Sequence, residues 1–193
     1  MSGERQVKVL FDERTIAERT EALAREIAAA KPKDLLVVAI LKGSFMFAAD
    51  LLRALHRVGL EPHVEFFHLS SYMSGTVSSG TVKILRDIES SVRDRDVLLV
   101  DDILESGRTL AFAKDLLAAR GARRVLVCTM LEKPGKRVVE IGADFVGFVC
   151  PDVFVVGYGM DVAHSYRELP FIGRVVTAQE TDDAAIPEAA TRV

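Results

Sequence analysis

Tryptophan is absent from the 193-residue chain, and there are only two cysteines, three tyrosines and six prolines. Cys128 and Cys150 form no Cys-x-x-Cys pair and fall in strand-like apolar runs, so they read as buried free thiols rather than a disulfide or a metal clip. A strong charge of either sign is also missing: the net charge is −3, which argues against a nucleic-acid-binding surface. No apolar run approaches the length of a membrane span. Met-Ser-Gly-Glu-Arg-Gln at the start has no apolar core behind its charges, so no signal peptide is read. Together these point to the cytoplasm. The four histidines, His56, His63, His68 and His164, show no metal-binding spacing. There is no P-loop and no nucleophile elbow.

What is present is a globular composition, 49% hydrophobic, with apolar runs alternating with helical patterns. Residues 12–30 read as a helix with Thr15 and Glu18 in capping-box spacing, stopped by Lys31-Pro32. A buried strand over Leu35–Leu41 turns at Lys42-Gly43-Ser44 into a second helix, Phe45–Val58, ended by Gly59. Glu61–Leu69 and Val82–Leu85 read as strands around a small polar loop, 70–80, which is either a solvated connection or a lid. A charged connection spans Arg86–Asp96, and a helix over Leu110–Arg120 ends at Gly121. Further strands are expected at Arg124–Leu131, Phe145–Val149, Phe154–Val156 and Arg174–Thr177. The acidic, alanine-rich tail 178–193 is expected to lack order. The alternation predicts an α/β fold with a mostly parallel sheet, one domain over 1–177.

The most informative stretch is Val97-Leu98-Leu99-Val100-Asp101-Asp102-Ile103-Leu104-Glu105-Ser106-Gly107-Arg108-Thr109-Leu110. An apolar strand ends in two carboxylates, and a turn with hydroxyls and a glycine opens a helix. The first N–H groups of a helix attract anions. Carboxylates beside them suit a hydroxylated ligand, a metal, or both. An ordinary strand–helix connection capped by Ser106 is the plainer alternative.

This run resembles the phosphoribosyl pyrophosphate motif of type I phosphoribosyltransferases. Asp144-Phe145-Val146-Gly147-Phe148, the run Pro151–Asp161 and Tyr166-Arg167-x-Leu169-Pro170 resemble the purine end of the hypoxanthine(-guanine) phosphoribosyltransferase family. Leu41-Lys42-Gly43-Ser44 and Ser70-Ser71-Tyr72 match that family's first loop and flexible loop. The likeness covers about Phe11 to Val176. It implies a twisted, mostly parallel sheet flanked by helices, a small hood made from the terminal segments and a flexible active-site loop. It also implies purine salvage: transfer of the 5-phosphoribosyl group from phosphoribosyl pyrophosphate to hypoxanthine or guanine, giving IMP or GMP and pyrophosphate, with Mg2+ and as a homodimer or homotetramer.

By that resemblance, Glu105, Ser106, Gly107, Arg108 and Thr109 hold the 5′-phosphate, and Asp101 and Asp102 face the ribose hydroxyls or a hydrated magnesium. Asp161 lies by a second metal and the purine. Lys42, Gly43 and Arg167 meet pyrophosphate, with Ser71 and Tyr72 joining on loop closure. The peptide before Lys42 can be cis in the family although no proline follows. Phe154 stacks on the purine, Val155 offers it main-chain contacts, and Lys133 donates to the 6-oxo oxygen. Glu105 stands where the family usually has aspartate and is expected to accept the N7 proton. Two alternatives remain at this point: a non-catalytic regulator on the same fold that binds nucleotides or RNA, and a phosphoribosyltransferase for another base such as xanthine.

Overall fold

The computed structural model describes residues 6–71 and 82–176. The expected tail and most of the polar loop, Tyr72 included, lie outside the described residues, and of Ser71 only the backbone is described. Chain order is β1 (Gln6–Phe11), α1 (Glu13–Ala29), β2 (Leu36–Leu41), α2 (Phe45–Arg57), β3 (His63–Ser71), β4 (Val82–Arg86), β5 (Asp96–Leu104), α3 (Arg108–Ala119), β6 (Arg124–Glu132), β7 (Phe145–Val149), β8 (Val155–Val156) and β9 (Ile172–Val176).

The main sheet has the order β4-β3-β2-β5-β6-β7. Its neighbours are parallel except β3–β4, which is antiparallel. Helices cover both faces. Val37, Ala39, Leu98, Val100 and Cys128 pack with Leu23, Ile27, Phe47 and Leu51 of α1 and α2. Leu36, Val38, Val97, Leu99 and Val127 pack with Leu110, Ala113 and Leu117 of α3 on the other face. Burial on both faces is why β2, β5 and β6 read as unbroken apolar runs. From β2 the chain passes through α2 to β3 on one side; from β5 it passes through α3 to β6 on the other. The order therefore reverses between β2 and β5, and the carboxyl ends of those strands flank a crevice, the usual ligand position in such sheets.

A second sheet, β1-β9-β8, is built from the two ends of the described chain and forms the hood. Gln6 pairs with Val176 across the antiparallel β1–β9 ladder. The rings of Phe11 and Phe148 stack at 4.2 Å and join this hood to β7. Tyr158 Oη donates to Asp50 Oδ2 of α2 at 2.8 Å, pinning the segment after β8 to the main body.

Several boundaries differ from those expected. β1 has no counterpart in the sequence pattern, because half of its residues are exposed and its partner lies at the far end of the chain. α1 keeps the expected extent but is capped by Asp12, whose side chain accepts from Thr15 N at 2.7 Å, rather than by a Thr15–Glu18 capping box. α3 begins at Arg108 behind Gly107, which takes a left-handed conformation that favours glycine, and no side chain caps it. β8 begins only at Val155 and β9 already at Ile172, so Phe154 precedes the strand, its carbonyl accepting from Val175 N of β9 at 3.0 Å. Cys128 and Cys150 are buried and free. Among the described residues no helix is long and apolar enough to cross a membrane.

Candidate active site

The crevice at the β2/β5 reversal is a cavity of about 380 Å³. Its wall carries Lys42 and Gly43 after β2, Asp101, Asp102, Glu105, Ser106, Gly107 and Thr109 from β5 and the following turn, and Asp161 and Arg167 from the hood side. The structure thus joins residues from three separated parts of the sequence.

The peptide between Leu41 and Lys42 is cis, as the family resemblance implied. Gly43 lies directly against Asp102: a Cβ added there would overlap Asp102 Oδ2. A Cβ on Gly159, whose φ is +100°, would overlap the Gly43 carbonyl oxygen. The hood and the first loop therefore meet backbone to backbone, and only glycine allows the approach.

Asp101 is buried and Asp102 half-buried, and the Asp102 N–H donates to Asp101 Oδ1 at 3.0 Å. Burial, and then the adjacent Asp102 charge, push the Asp101 carboxyl well above the usual carboxylate range. Asp102 is also raised by burial, with the Asp101 hydrogen bond and the Arg167 charge working against it. Two confined carboxylates whose ionised forms are disfavoured fit a cation, which would relieve both effects. Among the described residues no three His, Cys, Asp or Glu side chains cluster as a metal site. Magnesium keeps waters and takes few protein carboxylates, so the chemistry of the aspartate pair fits that ion. Asp161 does not join the pair; its Oδ1 meets Arg167 Nη2 at 2.6 Å, while Arg167 Nη1 donates to Gly159 O at 2.6 Å.

The turn after β5 carries the anion-site features. Ser106 Oγ lies 3.4 Å from Arg108 N, too long for a firm cap. Thr109 reaches the wall, whereas Arg108 does not. Lys133, Phe154 and Val155 also lie off this wall. Lys133 is 6% exposed, yet its Nζ approaches Glu105 Oε1 at 3.6 Å, so it abuts the cavity through Glu105. Val155 is buried in β8, and Phe154 is 57% exposed, an outward-facing ring beside it.

Arg137 escaped the sequence reading altogether. It lies in the irregular segment after β6, where no periodicity marks it, and its guanidinium reaches the carbonyls of both Leu104 and Glu105.

Fold and cavity define a doubly wound α/β protein with an acidic pair and a hydroxyl-bearing turn at the start of a helix, at its switch point. The chain belongs to the phosphoribosyl transferase domain family, whose family model matches residues 6–163. It is 42% identical over 177 residues to the hypoxanthine phosphoribosyltransferase of Escherichia coli (strain K12), covering 90% of this chain and 98% of that protein. It is 48% identical over 167 residues to the bifunctional protein TilS/HprT of Listeria monocytogenes, covering 86% of this chain but 25% of that protein. The chain thus spans about a quarter of the length of that relative. A hypoxanthine-guanine phosphoribosyltransferase from Bacillus anthracis, solved with a HEPES molecule in its active site, superposes with a TM-score of 0.82 at 40% identity, over 89% of this chain and 100% of that one.

Proposed function

We propose that the protein transfers the 5-phosphoribosyl group from phosphoribosyl pyrophosphate to hypoxanthine, guanine or both, a purine-salvage reaction giving IMP or GMP and pyrophosphate. The observation that carries this reading is the Lys133–Glu105 pair, ammonium and carboxylate 3.6 Å apart at the end of the phosphate turn. A 6-oxopurine in its N7–H form presents a donor at N7 beside an acceptor at O6. A carboxylate and an ammonium side by side are its complement. Adenine offers a 6-amino donor there, which would face Lys133 unpaired. Buried polar groups left unpaired discriminate strongly.

Bond formation at purine N9 and departure of pyrophosphate from the anomeric carbon build positive charge on the ribose ring. The role of the site is to hold the partners aligned and to balance that charge. In this reading Glu105 accepts the N7 proton as the N9–C1′ bond forms, and Lys133 holds O6. Phe154 covers the purine face, and Val155 offers its backbone to the purine edge. Ser106, Gly107, Arg108 and Thr109 receive the 5′-phosphate. Arg108, the first residue of α3, would do so through its backbone N–H at the helix start. Asp101 and Asp102 bind the ribose hydroxyls. Arg167 and the Lys42–Gly43 turn receive pyrophosphate, for which a guanidinium fork is suited. Mg2+ held by Asp101 and Asp102, with a second ion near Asp161, would supply the charge that balances the leaving pyrophosphate. Ser71 and Tyr72 would close the site from the polar loop.

We further propose that residues 1–177 act as one domain, that the protein is cytoplasmic, and that it works as a homodimer or homotetramer. Supporting assembly, Val64 and Phe66 of β3 and Leu85 of β4 are exposed apolar side chains.

Pyrophosphate release from phosphoribosyl pyrophosphate and magnesium, measured with hypoxanthine, guanine, xanthine and adenine in parallel, tests the reading. Turnover with hypoxanthine or guanine and none with adenine is expected. No release with any base would favour a binding regulator, and release with xanthine alone would shift the substrate.

A further inference from the structure

We propose that Arg137 is a positioning residue that aims the backbone N–H groups of the phosphate turn into the cavity. The inference rests on the proposed binding of a sugar phosphate at that turn.

Three consecutive carbonyls of the turn are engaged from behind. Leu104 O accepts from Lys133 N at 3.0 Å and from Arg137 Nη1 at 2.9 Å. Glu105 O accepts from the same Nη1 at 2.7 Å. Ser106 O accepts from Val138 N at 3.0 Å and Val139 N at 3.3 Å. In a trans peptide the carbonyl and the next residue's N–H point to opposite sides of the chain. Fixing these carbonyls outward therefore turns the N–H groups of Glu105, Ser106 and Gly107 the other way, toward the cavity these residues line. No backbone bond between the described residues, outside the regular elements, is donated by those three groups.

Arg137 is itself held on its other arms. Its Nη2 meets Glu132 Oε1 at 2.6 Å, and its Nε donates to Ile141 O at 3.2 Å. The guanidinium thus ties the end of β6, next to Lys133, to the end of β5. The segment it sits in also closes on Gly107, where a Cβ would come within 2.6 Å of Ile141 Cγ2. A planar fork can serve three carbonyls and a carboxylate at once, whereas an ammonium on a flexible stem cannot hold all of them in one geometry.

Arg137→Ala and Arg137→Lys test this, with KM for phosphoribosyl pyrophosphate, KM for hypoxanthine and Tm read for each. Both variants should raise KM for phosphoribosyl pyrophosphate by about tenfold or more, while KM for hypoxanthine at saturating phosphoribosyl pyrophosphate moves much less. Added guanidinium at millimolar concentration should recover part of the loss in Arg137→Ala and none in Arg137→Lys. A merely structural arginine would lower Tm and leave the two KM values in their original ratio, and that result overturns the proposal. If Arg137→Ala does not fold, an unchanged KM ratio in Arg137→Lys overturns it as well. An unsubstituted protein that turns over none of the bases would instead strike at the proposed function.

Discussion

Gly43 and Asp102 share one space: where a side chain would begin at residue 43, an Asp102 carboxylate oxygen already sits. The residues are far apart in sequence and meet because β2 and β5 are neighbours in the sheet. The obstacle a Cβ would meet is the end of a flexible side chain, with Asp102 Cγ at 2.6 Å, so the carboxylate would swing away rather than the strand. Gly43→Ala is expected to leave Tm nearly unchanged and to lower kcat/KM for phosphoribosyl pyrophosphate by about tenfold. Steady-state kinetics alongside thermal melting would check both halves.

Glu105 stands where the family resemblance leads one to expect an aspartate. Its carboxylate reaches Lys133, so the longer side chain still ends beside the group expected to hold purine O6. Glu105→Gln keeps the shape and removes the base; kcat should fall about 10²-fold. Glu105→Asp should retain activity within about tenfold, since a carboxylate is kept. A change in kcat of less than about threefold for Glu105→Gln would refute the proton-accepting role.

Lys133→Met preserves the apolar stem and deletes the ammonium. The ratio of kcat/KM for hypoxanthine over adenine should fall by about 10²-fold, chiefly through loss on hypoxanthine. If that ratio is unchanged in competition assays, discrimination at position 6 lies elsewhere.

Asp101 predicts a trade between stability and binding. Burial and the Asp102 charge raise its carboxyl well above 3.8 in the folded protein. The fold therefore binds that proton more tightly than the unfolded chain does. Its contribution favours folding at low pH and is lost as pH rises through the folded pKa, above the ordinary carboxylate range. Asp101→Asn should raise Tm at about pH 8 by about 2–4 °C and give no gain near pH 4. Activity should fall in the same variant. A stability gain that persists unchanged at low pH would rule out ionisation as its cause.

The parts of the fold that were legible in the sequence are those whose burial is uniform. β2, β5 and β6 are covered on both faces, so their central stretches are apolar and stand out as runs. β1 is half exposed and pairs with β9, a partnership no local pattern encodes. The extent of α1 was legible, but its cap was not, because Asp12 and Thr15 are both competent caps and only the geometry chooses between them. In the site, Asp101, Asp102 and the turn through Thr109 were legible because a short motif concentrates them. The division of labour was less so: Asp161 pairs with Arg167 rather than with the two aspartates, and Lys133 meets Glu105 across strands. Arg137 works through its neighbours' backbone carbonyls, which carry no side-chain signature for a sequence motif to record.

The pairing of Gln6 with Val176 brings the chain in and out of the domain at one doorway. A unit with adjacent entrance and exit can be spliced into a longer polypeptide with little disturbance to its interior. It can also be cut elsewhere and rejoined there by a short bridge. The Listeria relative, in which the matched stretch is 25% of the whole, shows this unit carried as one part of a larger protein.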